Sequence, residues 1–211
     1  KAFTAQLAVM ACLAIAIGRA RGTISEDVER DLVKALTEVP RHIAGVLHDE
    51  SGYEHLAHSL SKARDVLYLG RGVSYPVALE GALKLKEISY IHAEGFAAGE
   101  LKHGPIALIE PGQPVFVIVP SPDTPHELHK KVVSNIQEIR ARGARTLVIA
   151  HDGDEDVEPF ASEIIRVPQC SPLMAPLLTV IPLQVFALHL AMAKGLDADQ
   201  PRNLAKSVTV E

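Results

Sequence analysis

Apolar residues near the start of the chain follow helical spacing. Residues 2–18 carry no charge, and a helix over 2–21 is predicted, ended by Arg19, Arg21 and Gly22. Thr23 followed by Glu26 has the spacing of a capping box for a second helix. Apolar residues recur behind it every three or four positions, at Val28, Leu32, Leu36, Val39, Ile43 and Leu47. We therefore expect an amphipathic helix that is bent or broken at Pro40, and a short third helix over 54–62.

Beyond residue 63 the pattern changes to short apolar runs that alternate with helical segments. Strands are predicted at 65–69, 113–119, 145–150 and 164–167, and helices at 74–89, 124–142 and 172–194, the last interrupted by Pro176 and Pro182. Such alternation is typical of a parallel sheet covered on both faces. The expected fold class is α/β, a three-layer α/β/α parallel sheet of flavodoxin-like type with an N-terminal helical segment and a C-terminal tail. The expected boundaries are N-terminal helices at 1–62, the sheet domain at 63–195 and the tail at 196–211.

Composition and charge narrow the function classes. The 211 residues include 21 Lys and Arg against 26 Asp and Glu, a net charge of −5, and no tryptophan. An acidic chain poor in aromatic residues argues against nucleic acid as a partner. The cysteines, Cys12 and Cys170, have no metal-ligand spacing, so we expect no metal site and a reducing, cytoplasmic setting. The uncharged run 2–18 is short and contains Thr4 and Gln6, so a buried helix is preferred to a membrane span.

A glycine-rich turn follows the first predicted strand. Gly70, Arg71 and Gly72 lead into a helix that has Ser74 near its start. Glycine lets the backbone approach an anion, and a helix N-terminus presents free N–H groups. The same pattern is common in tight turns that bind nothing, so phosphate binding and a purely structural turn both remain open.

Charged residues share one face of the helix that follows this turn. Glu80, Lys84 and Glu87 are spaced i, i+4 and i+7, whereas Lys86 points elsewhere. A carboxylate beside an ammonium group could transfer a proton to and from a substrate. A solvated charged stripe with i,i+4 pairing would have the same spacing, so the spacing alone leaves both interpretations open.

Two histidines and a lysine near the end of the chain are further candidates. His92 and His103 flank a stretch rich in glycine and alanine, and Gly104 and Pro105 fix the turn after His103. An imidazole presented by such a turn could exchange a proton with a sugar ring oxygen, although a structural or merely exposed histidine fits equally well. Lys206 either belongs to a frayed terminus or docks into a cleft as a nucleophile toward a carbonyl group.

Two stretches of the chain resemble a known family. ALEGALKLKEISYIHAE with AAGELKHGP, and the closing DQPRNLAKSVTVE, are similar to the second sugar-isomerase (SIS) domain of the glucosamine-6-phosphate synthase family. The resemblance covers essentially the whole chain, and the closing motif is its most specific part. It implies an SIS fold in an aminotransferase that makes glucosamine 6-phosphate from fructose 6-phosphate and ammonia released from glutamine. We expect no cofactor.

The resemblance also implies roles for the charged helix and for the second histidine. Glu87 matches the base that moves a proton between C1 and C2 of the sugar, and Lys84 and Glu80 match groups that support it. His103 matches the histidine that assists ring opening and reaches into the neighbouring subunit's site.

The closing motif carries the implied nucleophile. Lys206 matches the lysine that forms a Schiff base with the open-chain ketose, Ala205 lies beside it, and both are expected to contact the substrate together with Glu87. An imine makes the proton on the adjacent carbon more acidic. A carboxylate can then move that proton to the neighbouring carbon. We expect the last residues to fold back so that the amine meets the charged helix at the mouth of the sheet, outside the carboxyl ends of the strands.

The implied partners are the sugar phosphate, the glutaminase and first SIS domains of the same polypeptide, and a second subunit in a homodimer. Because the first SIS domain supplies the phosphate-gripping loops in this family, the chain alone is expected to be inactive and to bind fructose 6-phosphate weakly or not at all. A standalone SIS-domain isomerase or deglycase, and a non-catalytic sugar-phosphate-binding module, remain alternatives. Neither a nucleic acid nor a membrane is an expected partner.

Overall fold

Five parallel strands form a sheet in a computed structural model that describes residues 2–121, 124 and 126–204. Their order across the sheet is β2-β1-β3-β4-β5. The strands are β1 (Asp65–Gly70), β2 (His92–Ala97), β3 (Pro114–Ile118), β4 (Arg145–His151) and β5 (Glu163–Val167). β1, β3 and β4 are almost entirely buried, which explains why they read as continuous apolar runs.

β2 is a strand that the sequence pattern did not predict. It pairs with β1 along its whole length at one edge of the sheet. The strand begins with His92 and Glu94, both exposed, so it lacks the apolar run by which the other strands were recognised. Two short 3₁₀ segments follow it, at Ala98–His103 and Pro105–Leu108. The stretch that was taken as a connection between the two histidines is therefore a strand and a 3₁₀ segment.

Helices cover both faces of the sheet, which confirms the predicted three-layer α/β/α architecture. The elements α3 (Ser51–Leu60), α4 (Ser74–Ser89) and α6 (Ala175–Ala193) pack together on one face. On the other face, α5 (His126–Arg140) packs against a second apolar cluster with β3 and β4. The predicted interruption at Pro182 is absent, because α6 runs continuously from Ala175 to Ala193 with that proline inside it.

Aromatic stacking joins the sheet to the α4–α6 layer. The rings of Tyr68 on β1 and Phe116 on β3 are stacked with centroids 4.9 Å apart, and Phe186 on α6 packs 4.9 Å from Phe116. All three side chains are completely buried. Aromatic rings of this size contribute much of the apolar area that a core removes from water, so this stack anchors α6 on the sheet.

Two helices precede the sheet domain, α1 (Ala2–Ala20) and α2 (Glu26–Val46). The capping residue of α2 is Ser25, whose hydroxyl accepts a backbone N–H at 3.3 Å. The predicted capping box at Thr23 is wrong, because that hydroxyl instead donates to a carbonyl of α1 at 3.1 Å. Nor is the helix broken at Pro40, which lies inside α2.

Two helices are long and apolar enough to cross a membrane. Both α1 and α6 have 19 residues, with mean hydropathies of 1.6 and 1.7. α6 is 72% buried, as expected of the core helix of a folded domain, but α1 is only 17% buried. Val9 and Met10 on α1 are 64% and 59% exposed. The expectation of a buried first helix is therefore wrong for the chain as described, because α1 leaves an apolar surface exposed.

Candidate active site

The middle and last turns of α4 bring together three of the predicted site residues. The Lys84 ammonium lies 2.5 Å from Oε2 of Glu87 and 3.4 Å from Oε1 of Glu80. Residues three and four positions apart share one face of a helix, so the backbone itself sets these distances. The result is one ammonium held between two carboxylates, with Glu80 buried and the other two about one-third exposed.

The proton on Lys84 is held firmly. Partial burial is the largest single influence and lowers the pKa of Lys84, but the hydrogen bond and charge of Glu87 and the charge of Glu80 together outweigh it. The net effect is a pKa raised above the usual lysine value of 10.5. Lys84 is consequently a permanent cation at neutral pH, and it fixes the orientation of the Glu87 carboxylate.

A groove of about 370 Å³ opens beside Glu87. One wall is the end of α4 and the other is the segment that follows α6. The lining residues are Leu83, Lys86, Glu87 and Tyr90 on the first wall and Arg202, Asn203 and Leu204 on the second. The carboxylate thus faces a space that the last described residues of the chain help to enclose.

Tyr90 holds this closing segment against α4. It ends the helix in the left-handed conformation, with φ of 54°, and its hydroxyl accepts the backbone N–H of Arg202 at 2.8 Å. The Arg202 guanidinium lies 4.1 Å from the centre of the Tyr90 ring, within the range of a cation–π contact. Neither residue was among those predicted from the sequence. The signals available were a tyrosine directly after the charged helix and an arginine within the closing motif.

Ala205 and Lys206, the predicted substrate-binding and Schiff-base residues, lie outside the described residues. The last described residue, Leu204, lines the same groove as Glu87.

Glu87 lies at the amino edge of the sheet, so the expectation that it would lie at the mouth of the sheet, outside the carboxyl ends of the strands, is wrong. Because α4 leaves the carboxyl end of β1 and returns to the start of β2, its last turn lies at the amino edge of the sheet. The segment after α6 reaches this edge for the same reason. The charged helix therefore does not present Glu87 outside the carboxyl ends of the strands.

His103 is not brought to Glu87 within this chain. It ends the first 3₁₀ segment, beyond the carboxyl end of β2, and its side chain is 73% exposed. Its Nδ1 lies 2.8 Å from the Glu100 carboxylate. The six residues of β2 separate the two groups along the strand direction, a length of roughly 17 Å at ~3.3 Å per step.

A cluster of one histidine and two aspartates elsewhere has the residue types of a metal site. Ligand atoms of His129, Asp154 and Asp156 lie within 4.8 Å of one another, and Nε2 of His129 is 2.8 Å from Asp154. The hydrogen bond to Asp154, opposed by burial and aided by both carboxylate charges, raises the pKa of His129 above 6.5. Because Nε2 of His129 is already occupied by its contact with Asp154, we interpret the group as a buried histidine–carboxylate contact that supports the fold.

Known proteins resemble this chain over all or most of its length. A glutamine–fructose-6-phosphate aminotransferase (isomerizing) from Leifsonia xyli subsp. xyli is 65% identical over the whole chain, and one from Corynebacterium efficiens is 59% identical. The chain spans 34% of each, about one-third of their length. The resemblance identified from the two sequence stretches is confirmed by these matches.

A solved structure and a family match agree with the architecture. The C-terminal domain of glucosamine-fructose-6-phosphate aminotransferase from Francisella tularensis superposes with a TM-score of 0.88 and 34% identity, covering 94% of this chain and 55% of that one. The SIS domain family matches residues 59–194, from the last turn of α3 to the end of α6. This match spans well over half of the chain and includes all five strands, so the chain belongs to the SIS domain family.

Proposed function

We propose that this chain supplies the second SIS domain of a glutamine–fructose-6-phosphate aminotransferase (isomerizing). The whole enzyme would convert fructose 6-phosphate and ammonia released from glutamine into glucosamine 6-phosphate, a precursor of amino-sugar polymers. The identity of 65% to a relative of that name supports this proposal. The chain would be one part of a soluble, cytoplasmic enzyme, with a glutaminase domain and a first SIS domain contributed by the same polypeptide.

The observation that carries the proposal is the groove beside Glu87. A carboxylate oriented by an ammonium faces a space whose second wall is the closing segment. Tyr90 holds that segment two residues before the last described one. A lysine that follows by two more residues is within reach of the groove, because each residue extends a chain by up to ~3.5 Å.

Each residue would have a distinct part in the reaction. Lys206 would attack C2 of the open-chain ketose and release water, leaving an imine. Ammonia would then replace the lysine at C2 and release Lys206. Glu87 would take the proton from C1 of the resulting imine and return it to C2, because the imine acidifies the C1 proton. Lys84 would keep the carboxylate in place, and buried Glu80 would balance the charge of Lys84. Ala205 would contact the sugar beside the imine.

Ring opening would require a second subunit. His103 is exposed and lies at the opposite edge of the sheet from Glu87, so it does not serve the same groove within one chain. In a homodimer, the histidine of one subunit would transfer a proton to the ring oxygen of a sugar bound by the other. The exposed apolar surface of α1 would be covered by the first SIS domain of the same polypeptide.

Chemical trapping tests the role of Lys206. The intact polypeptide that carries this chain is incubated with radiolabelled fructose 6-phosphate and borohydride, which reduces an imine to a stable amine. We expect the label on the peptide that contains Lys206, and none in the Lys206→Arg variant. A Lys194→Arg variant serves as the matched control, because Lys194 follows α6 and lies outside the groove.

Three outcomes would count against the proposal. Labelling of another lysine would assign the Schiff base elsewhere. Absence of a label in an enzyme that still interconverts the sugar would favour a standalone isomerase that works without an imine. Sugar-phosphate binding without turnover would favour a non-catalytic binding module.

A further inference from the structure

A buried serine hydroxyl joins α4 to α6, the two helices from which the walls of the Glu87 groove extend. Ser89 lies in the last turn of α4, one residue before Tyr90, and is completely buried. Its Oγ donates a hydrogen bond to the backbone carbonyl oxygen of Ala187 on α6 at 3.2 Å. The two residues are 98 positions apart in the chain, so the bond is a contact between helices.

Small residues let the two helices approach closely enough for this bond. A Cβ added to Gly81 on α4 would lie only 2.6 Å from the side chain of Leu183 on α6. Ala82 on α4 and Ala187 on α6 are buried in the same apolar cluster. The short side chains bring the Ser89 hydroxyl within reach of a main-chain atom of the other helix.

A serine at this position contributes direction and not packing. Alanine would occupy nearly the same volume without removing a hydroxyl group from water, which is unfavourable unless the hydroxyl is hydrogen-bonded. The attraction between apolar surfaces is non-directional, so apolar packing alone does little to prevent one helix from sliding along the other. A hydrogen bond to a particular carbonyl group opposes such sliding, because it weakens steeply as its geometry is lost.

The position of α6 along α4 determines where the closing segment meets Glu87. Both helices run from the carboxyl edge to the amino edge of the sheet. α6 ends at Ala193, and the chain then returns to α4, where the Arg202 amide bonds to Tyr90. A slip of one residue along a helix axis moves its end by ~1.5 Å. Misplacement of a reacting group by ~1 Å can cost ~10²-fold in rate.

We propose that Ser89 is a positioning residue for the reaction in the Glu87 groove. Its hydrogen bond to Ala187 fixes α6 against α4, and this places the closing segment, and with it Lys206, opposite the Glu87 carboxylate. Ser89 acts from outside the groove, since it is completely buried and is not one of the groove's lining residues. The inference rests on the proposed function, in which the closing segment carries the nucleophile.

Ser89→Ala in the intact enzyme tests this role. Loss of one hydrogen bond should accelerate hydrogen exchange at the Arg202 amide by ~2–10-fold. With kcat expressed per folded enzyme, we expect kcat to fall by at least ~2-fold. KM for fructose 6-phosphate should stay unchanged, because Ser89 lies outside the groove. The folded fraction is measured by thermal unfolding before each assay.

Two comparisons separate positioning from stability. Thr179→Val removes a buried hydroxyl that donates to the carbonyl oxygen of Ala175 at 2.9 Å, within α6 itself. This variant should leave exchange at Arg202 and kcat unchanged, whatever its melting temperature. In Tyr90→Phe the Arg202 amide has already lost its acceptor. Adding Ser89→Ala to that variant should therefore accelerate exchange by a smaller factor than it does in the wild type.

Three results would overturn the inference. The first is wild-type exchange at Arg202 together with wild-type kcat in folded Ser89→Ala. The second is an equal loss of kcat in Thr179→Val, which would indicate general destabilisation. The third is an equal effect of Ser89→Ala in the wild type and in Tyr90→Phe, which would make the two contacts independent.

The trapping experiment distinguishes this failure from failure of the proposed function. If Lys206 is labelled but Ser89→Ala behaves as the wild type, the proposed function stands and the role of Ser89 is wrong. If Lys206 is not labelled although Ser89→Ala accelerates exchange at Arg202, Ser89 positions the closing segment and the proposed function fails.

Discussion

Removing the Tyr90 hydroxyl should loosen the closing segment without unfolding the domain. In Tyr90→Phe the ring remains beneath the Arg202 guanidinium, but the acceptor for the Arg202 N–H is lost. In Tyr90→Leu the ring is lost as well. The two variants therefore remove first the hydrogen bond and then the cation–π contact, while α4 and the sheet keep their packing.

The contacts set the size of the expected effect. A hydrogen bond of this kind contributes about 0.5–1.5 kcal/mol, and because the Arg202 N–H can bond to water when released, the lower half of that range applies. In Tyr90→Phe the ratio of closed to open segment should therefore fall by ~2–5-fold. An exposed cation–π contact adds about 0.5–1 kcal/mol. In Tyr90→Leu the ratio of closed to open segment should therefore fall by roughly 5–30-fold.

Hydrogen exchange at the Arg202 amide measures this loss directly. Exchange should be faster by the stated factors in the two variants, because the amide exchanges only when its hydrogen bond opens. In the intact enzyme kcat should fall in parallel, with the melting temperature unchanged. Tyr75→Phe is the matched control, since Tyr75 also lies on α4 and its hydroxyl has no hydrogen bond within the described residues. Wild-type exchange at Arg202 in Tyr90→Leu would refute the reasoning.

Three further predictions concern packing, pH and subunit contact. Gly81→Ala should destabilise the domain by about 1–3 kcal/mol, because the new Cβ would lie 2.6 Å from a leucine of α6. Gly45→Ala on α2, where no described atom lies within 4 Å of such a Cβ, should instead be neutral or stabilising in chemical denaturation. His129→Gln should cost more stability at pH ~6 than at pH ~9. The reason is that the folded-state pKa of His129 is raised above 6.5, so its ion pair is lost as pH rises through that pKa. Equal losses of stability at the two pH values would contradict this. Mixed oligomers of His103→Ala and Glu87→Gln should regain activity that neither variant has alone. If mixing the two variants restores no activity, both groups belong to the site of one subunit.

The sequence predicted the three strands that are buried on both faces, and also β5, a half-buried edge strand that keeps the apolar pair Ile164 and Ile165. β1, β3 and β4 are covered by helices on each side and so require apolar residues at nearly every position. β2 is an edge strand with exposed His92 and Glu94, and no local pattern distinguishes it from a loop. Its pairing with β1 is a tertiary contact. The same limit applies to Pro40, which sequence rules treat as a helix breaker but which α2 accommodates.

The charged row of the candidate site was predictable and its surroundings were not. Helical spacing alone places Glu80, Lys84 and Glu87 on one face, and the structure has the ion pairs that this spacing implies. The contact between Tyr90 and Arg202 joins residues 112 positions apart. Its existence depends on where α6 ends, which follows from the packing of α6 on the sheet and not from local sequence.

The direction of the helices explains why one SIS domain is insufficient for the proposed reaction. In a parallel α/β sheet every helix returns the chain from the carboxyl edge to the amino edge, so the ends of α4 and α6 meet at the amino edge. Glu87 and the closing segment must therefore lie there, while His103 lies at the carboxyl edge. The two edges are separated by the length of the strands, which no side chain spans. A reaction that needs both Glu87 and His103 consequently requires two copies of this fold, arranged so that the carboxyl edge of one faces the amino edge of the other.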